Sequence, residues 1–312
     1  MTMAALRKAF LWASTNPWMR ETAMKTAFVR RSVKKFMPGE RVEDAIAAAV
    51  SLKPTGITTI ITHLGENITH LEEADAVEAH YLNLLGLIAK AGVDAQISIK
   101  PTQLGYDQDP EVCFAHCLRL LEACEKQKTF FWLDMESSPY VDGTLALYKR
   151  LRERSTSVGV AIQSYLRRTD NDIEDLVKIG AAIRLVKGAY LEPPSVAYPE
   201  KGRVDEQYFN IAARLLQDDS NKPGALLHIA THDTALQDRL RKVIAERKIP
   251  ASRYEYAMLY GINSTRQHEL AKARQRIRVL ISYGEYWFPW YMRRLAERPA
   301  NVWFVVRNMF KG

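Results

Sequence analysis

The chain has 312 residues, 47% of them hydrophobic and 26% charged, which is enough apolar material for a sizeable core and too much for a disordered chain. Its 44 Lys and Arg outnumber 36 Asp and Glu, and the resulting charge of +8 favours anionic partners such as nucleic acid, anionic lipid or a phosphorylated cofactor. No apolar run approaches the roughly 18 residues of a membrane span, and Arg7 and Lys8 interrupt MTMAALRKAFLWA as a signal-peptide core, so the sequence predicts a cytoplasmic protein.

The first 50 residues read as a helical extension. Within it RKAFLWAS and the basic cluster VRRSVKKF, with Arg30, Arg31, Lys34 and Lys35, suit two arrangements: lying on an acidic surface such as the inner membrane, or packing on the rest of the chain with a solvated basic face. From about residue 55 the chain alternates short β-rich apolar runs with longer amphipathic stretches. The runs are GITTIITHL, AQISIKPTQL, TFFWLDME, VGVAIQSYL, AAIRLVKGAY, ALLHIATHD, YEYAMLYGI and RIRVLISYG. Between them lie helical patterns such as EEADAVEAHYLNLLGLIAKAG, with Gly92 as its stop, and EQYFNIAARLLQDD. Eight such alternations over about 250 residues predict an α/β protein of the (β/α)8 TIM-barrel type, with the extension at 1–50 and the barrel as a single domain at 51–312. Cys113, Cys117 and Cys124 fall on one stripe of a helix, as small buried hydrophobes do.

In this fold the active site lies at the carboxyl ends of the strands. Strand two ends at Lys100, strand three at Asp134, strand four at Gln163, strand five at Arg184 and strand six at His232, all with inward parity if the strand period holds. Buried charges cost several kcal/mol each unless well paired, so five polar ends point to a site. The mouth is cationic: Lys100, Arg184, Lys187, Arg293 and Arg294 face Asp134, Glu66 and Glu297. Arg293 and Arg294 also stand four and three residues before Glu297, the spacing of ordinary surface ion pairs. A pair of arginine forks suits a small carboxylate, with Lys100 as a third donor, and Gly188 lets backbone approach a phosphate. The histidines form no convincing three-ligand metal set, and His228 reads as a core histidine. Nothing interleaves aromatics with basic residues as base stacking needs, which argues against nucleic acid.

Taken together, SIKPTQLG, FWLDME, VAIQSY, RLVKGAYLEPP, ATHD, MLYG and YMRRLAERPAN resemble the FAD-dependent proline dehydrogenases, monofunctional bacterial type, in family order and across most of residues 60–308. The resemblance implies oxidation of L-proline to 1-pyrroline-5-carboxylate, with hydride passing to FAD and electrons then to a membrane quinone. It also implies that Arg293, Arg294 and Lys100 bind the substrate carboxylate, that Asp134 supports the Lys100 end of the pocket, and that Glu66 pairs with Arg293 as a gate. Gln163 and Arg184 would contact the isoalloxazine; Val186, Lys187, Gly188, Ala189 and His232 would line the ribityl and pyrophosphate path; Leu259 would pack at the ring, and Glu297 would brace the last helix. One departure stands out: thirteen residues before Arg293, where the family carries a tyrosine packed on the substrate ring, this chain has Leu280, with Tyr283 as a possible substitute. Relatives that prefer hydroxyproline also lose that tyrosine, so a dehydrogenase for hydroxyproline or another cyclic imino acid stays open, as does a catalytically idle anion-binding barrel.

Overall fold

Each β-rich run forms one strand in the computed structural model, which describes residues 33–65 and 68–297, with side chains described as far as Met292. The strands are β1 (Thr58–His63), β2 (Ala95–Ile99), β3 (Phe131–Leu133), β4 (Val158–Gln163), β5 (Ala182–Val186), β6 (Leu226–Ala230), β7 (Tyr254–Leu259) and β8 (Ile277–Tyr283). They pair in sequence order, all parallel, and β8 returns to β1 to close the barrel, Ile60 facing Leu280 and Thr62 facing Ser282. Closure leaves no free sheet edge, and helices cover the outer face, so most strand positions are buried on both sides and read as near-continuous apolar runs.

The helices are α1 (Val42–Leu52), α2 (Leu71–Ala91), α3 (Pro110–Lys126), α4 (Val141–Arg154), α5 (Thr169–Lys178), α6 (Lys201–Leu215), α7 (Thr234–Glu246), α8 (Ser264–Lys272) and α9 (Trp287–Glu297). Each strand is thus followed by a helix, and α1 precedes the barrel and runs across position 50. The expected stop at Gly92 is a left-handed C-cap (φ 61°), and α3 starts where Asp109 accepts from the amides of Glu111 at 2.8 Å and Val112 at 3.3 Å, with Pro110 in its first turn. Cys113, Cys117 and Cys124 are buried on α3 as free thiols.

A second apolar cluster joins the two ends of the described chain. Val33, Phe36 and Met37 pack with Leu64, Ile262 and the α9 residues Trp287, Phe288, Trp290, Tyr291 and Met292, and Trp287 Nε1 donates to Glu40 at 3.0 Å. Lys34 and Lys35 of the basic cluster stay exposed beside these buried residues, while Arg30 and Arg31 lie outside the described residues. Contact is close enough to require Gly261, which sits at φ 69° and where a Cβ would stand 1.6 Å from the Lys35 carbonyl oxygen. The segment preceding the barrel therefore helps seat α9, the helix that carries Arg293, Arg294 and Glu297.

Candidate active site

The interior can be followed from bottom to top by strand parity. Near the amino end, Arg278 Nε donates to Glu255 at 2.9 Å, and its Nη1 donates to Asp94 at 2.9 Å and to the Thr59 carbonyl at 3.0 Å. His228 is fully buried with Nε2 3.0 Å from Glu255 and its ring 4.3 Å from that of Trp132, whose Nε1 donates to Gln96 at 2.7 Å. Burial drives His228 down to about 4, against the pull of Glu255; Glu255 itself lies near 2, where the His228 hydrogen bond and the charges of Arg278 and His228 overcome burial. His228 is the core histidine the sequence suggested.

Above this layer, Arg184 reaches across the barrel from β5. Its Nη2 donates to Asp134 Oδ1 and, at 3.0 Å, to Ser98 Oγ, and Ser98 Oγ donates to the same Asp134 oxygen at 2.8 Å. The guanidinium carbon lies 5.3 Å from the Trp132 ring, so the group caps the apolar interior. Burial pushes the Arg184 guanidinium down despite the adjacent Asp134. Arg184 lies two residues before the end of β5 rather than at its tip, one layer deeper than expected, because its inward parity allows either level.

At the rim stand Gln163, the last residue of β4, and Val186, the last of β5, with Lys100 and Asp134 one residue past β2 and β3. Gln163 is 3% exposed, and its Nε2 donates to the Glu136 carbonyl at 3.2 Å. Arg184 Nη1, a donor, and Gln163 Oε1, an acceptor, are among the buried polar atoms that lack a hydrogen-bond partner among the described residues. They belong to neighbouring strands and share the inward parity. Unpaired buried polar atoms cost about 1–3 kcal/mol each, so a molecule offering both an acceptor and a donor would satisfy this rim.

The remaining wall runs over β6 to β8. His232, two residues past β6, accepts at Nε2 from the Leu259 amide at 3.4 Å, and Leu259 pairs with Leu280 in register. Leu280 faces inward with Ile60, an apolar pair one layer below the polar Thr62 and Ser282. Tyr283 cannot take its place: three residues further along a strand means the opposite face. It is 1% exposed, its hydroxyl is 2.6 Å from His80 Nε2, and it sits behind the barrel wall. The substitution suggested by proximity in sequence is thereby corrected.

Over β5 the chain continues through Lys187, Gly188 and Ala189. Lys187 is bound by Asp205 at 2.5 Å and Asp233 at 2.9 Å, where Lys201 also pairs with Asp205, so its charge is largely balanced. Gly188 is required by a close approach, since at φ 114° a Cβ would come 2.2 Å from the Tyr165 ring. Glu192 clips this loop to the loop after β3, accepting from the Ser138 amide and hydroxyl at 2.7 Å each. Glu66 lies outside the described residues, as do the side chains of Arg293, Arg294 and Glu297. Among the described residues no group of three His, Cys, Asp or Glu could hold a metal ion.

Three residues escaped the sequence reading. Ser98 and Glu136 have the inward parity of Lys100 and Asp134, a signal that was available; Thr102 sits in the Pro101–Leu104 turn and left none.

Fold and rim define a (β/α)8 protein whose open end is built around charged and hydrogen-bonding groups on the strand tips. A sequence profile described as proline dehydrogenase matches residues 45–307, and the chain belongs to the proline dehydrogenase family. It is 34% identical over 306 residues to proline dehydrogenase 1 of Bacillus subtilis subsp. natto, covering 98% of this chain and 99% of the relative. It is 33% identical to the proline dehydrogenase of Deinococcus radiodurans over 98% of both chains. Among solved structures, proline utilization A from Bdellovibrio bacteriovorus superposes with a TM-score of 0.79 at 22% identity, over 86% of this chain and 33% of the other. The corresponding protein from Corynebacterium freiburgense gives 0.75 at 19% identity, over 98% and 34%.

Proposed function

We propose that the protein oxidises L-proline to 1-pyrroline-5-carboxylate with FAD bound at the barrel mouth. Family membership with near full-length relatives of that name supports the reaction, and the single observation that carries the cofactor is the orphaned pair Arg184 Nη1 and Gln163 Oε1. An isoalloxazine presents acceptors that an arginine can meet and an imide N–H that a glutamine oxygen can accept, so the donor set fits. When bound, the flavin would accept a hydride from the ring carbon next to the proline nitrogen.

The chain's own residues then have separate tasks. Arg184 would hold the flavin from below, locked in place by Asp134 and Ser98. Gln163, Val186, Lys187, Gly188, Ala189, His232 and Leu259 would line the rest of its path, and Glu297 would brace α9. Lys100, Arg293 and Arg294 would bind the substrate carboxylate, with Glu66 closing on Arg293; a fixed fork orients the ring and removes freedom that the reaction would otherwise have to lose. Leu280, with Ile60 and Leu259, would form the apolar wall against the ring and keep water from it.

Electrons would pass on to a membrane quinone, a reading that rests on the family resemblance and the +8 charge. No helix among the described residues is long and apolar enough to cross a membrane, so the quinone would be met at a surface. The inward Leu280 favours a second reading, a dehydrogenase for a substituted ring, because leucine leaves more room than tyrosine. Reconstitution with FAD and turnover of proline, 4-hydroxyproline and larger cyclic imino acids with an artificial acceptor tests both: no turnover of any removes the first reading, and a preference for a substituted ring selects the second.

A further inference from the structure

Glu136 lies two residues beyond Asp134, with the same parity, in the turn that follows β3. It is 6% exposed. Its carboxylate accepts from the Thr102 hydroxyl at 3.0 Å and the Thr102 amide at 3.3 Å. Thr102 stands two residues after Lys100, in the short turn Pro101–Leu104 that Lys100 caps. The Glu136 main-chain carbonyl meanwhile accepts from Gln163 Nε2 at 3.2 Å. One residue is thus tied on one side to the turn carrying Lys100 and on the other to the glutamine with the orphaned Oε1.

Burial pushes the Glu136 carboxyl up, and the Lys100 charge and the two Thr102 hydrogen bonds pull against it. A carboxylate so deeply placed needs compensation, because an isolated buried charge costs several kcal/mol. Asp134, by contrast, has its carboxylate engaged by Arg184 and Ser98 at the floor.

We propose that Glu136 is the positioning residue of Lys100: its carboxylate fixes the Lys100 turn and keeps the ammonium charged and aimed into the mouth, in register with Gln163, so that Lys100 can receive the substrate carboxylate. A lysine is a compact charge on a flexible stem, so a fixed counter-charge leaves it donors for a ligand while restricting where it points. In a mouth that also carries Arg184, the counter-charge further opposes loss of the lysine's proton.

This inference rests on the proline reading for its substrate, and the test separates the two. Glu136→Gln keeps the shape and one acceptor, and the Thr102 hydroxyl can turn to accept from the new amide, so the change removes charge more than structure. The readouts on FAD-loaded protein are KM and kcat for L-proline, flavin content, thermal midpoint, and the acylation rate of Lys100 by acetic anhydride near pH 8, followed by peptide mass spectrometry. The expected result is a KM raised about tenfold, kcat and flavin content changed less than about twofold, and Lys100 acylated several-fold faster. An unchanged or lowered KM in an enzyme that turns over proline overturns the proposal, the lowered value meaning that Glu136 competes with substrate for Lys100. So does an unchanged acylation rate. Should wild-type protein turn over no cyclic amino acid, the proline reading fails while Lys100 acylation still decides the role of Glu136. If Glu136→Gln does not fold, Thr102→Val loosens the same carboxylate and is read by the same four measurements.

Discussion

Among the described residues, Arg184 and Arg278 both point into the interior enclosed by the strands, and they are treated differently. Arg278, near the amino end, is paired through Nε with Glu255 and through Nη1 with Asp94 and the Thr59 carbonyl. Arg184, near the carboxyl end, has Asp134 and Ser98 on Nη2 and, among the described residues, nothing on Nη1. Protonation follows the same division: burial lowers both, but the acidic partners of Arg278 carry it above its ordinary value, while Arg184 ends below. Arg278 is held by acidic partners inside the fold, whereas a buried donor without a partner among the described residues, near the carboxyl ends of the strands, marks a candidate ligand site.

The largest expected effect comes from removing each guanidinium. Arg278→Met strands Glu255 in the core and is expected to cost about 3–5 kcal/mol in a denaturant titration, with flavin affinity of the surviving folded protein unchanged. Arg184→Met should cost a comparable amount of apoprotein stability and, in addition, lower FAD affinity at least tenfold by fluorescence titration. Equal flavin loss in both variants would erase the distinction between the two arginines.

Acid should next attack the neutral histidines. Burial, assisted by His80, holds His63 down at about 4, as burial holds His228. A depressed folded value means that the unfolded chain takes the proton first, so the contribution is complete above about 6.5 and is lost as pH falls towards 4. Each site can contribute at most about 3 kcal/mol to that loss. His63→Asn is expected to flatten the decline in thermal midpoint between pH 7 and 4.5; an unaltered slope would remove His63 from the account.

Much of this was written in the sequence. Strand period two gives Lys100, Asp134, Gln163, Arg184 and His232 inward parity, and Arg184 and Asp134 do meet across the interior, because a period that matches the pleat survives tertiary packing. The pairing of Arg184 with Asp134, fifty positions apart, was not legible, since periodicity says which face a side chain takes and nothing about what it meets across a closed interior. Glu136 lies in the turn beyond the last apolar residue of its run, where strand period is a weaker guide, and Tyr283, an odd number of residues from Leu280, takes the opposite face of β8.

Smaller effects sharpen the upper region. Arg294→Lys is expected to leave flavin binding intact and raise KM for proline about tenfold, because an ammonium cannot reproduce a two-pronged fork; an unchanged KM would contradict the clamp. Leu280→Tyr should shift the ratio of kcat/KM for proline over 4-hydroxyproline by a few-fold towards proline, and an unmoved ratio would show that this wall does not read the ring.

On the function proposed above, the rim above Arg184 would hold a flavin that proline can reduce. The absorbance spectrum of purified, FAD-supplemented protein, recorded without oxygen before and after addition of L-proline, tests it most directly. Flavin bands that bleach on addition are the expected result; protein that takes up no FAD, or keeps its yellow spectrum in the presence of proline, contradicts the proposed function.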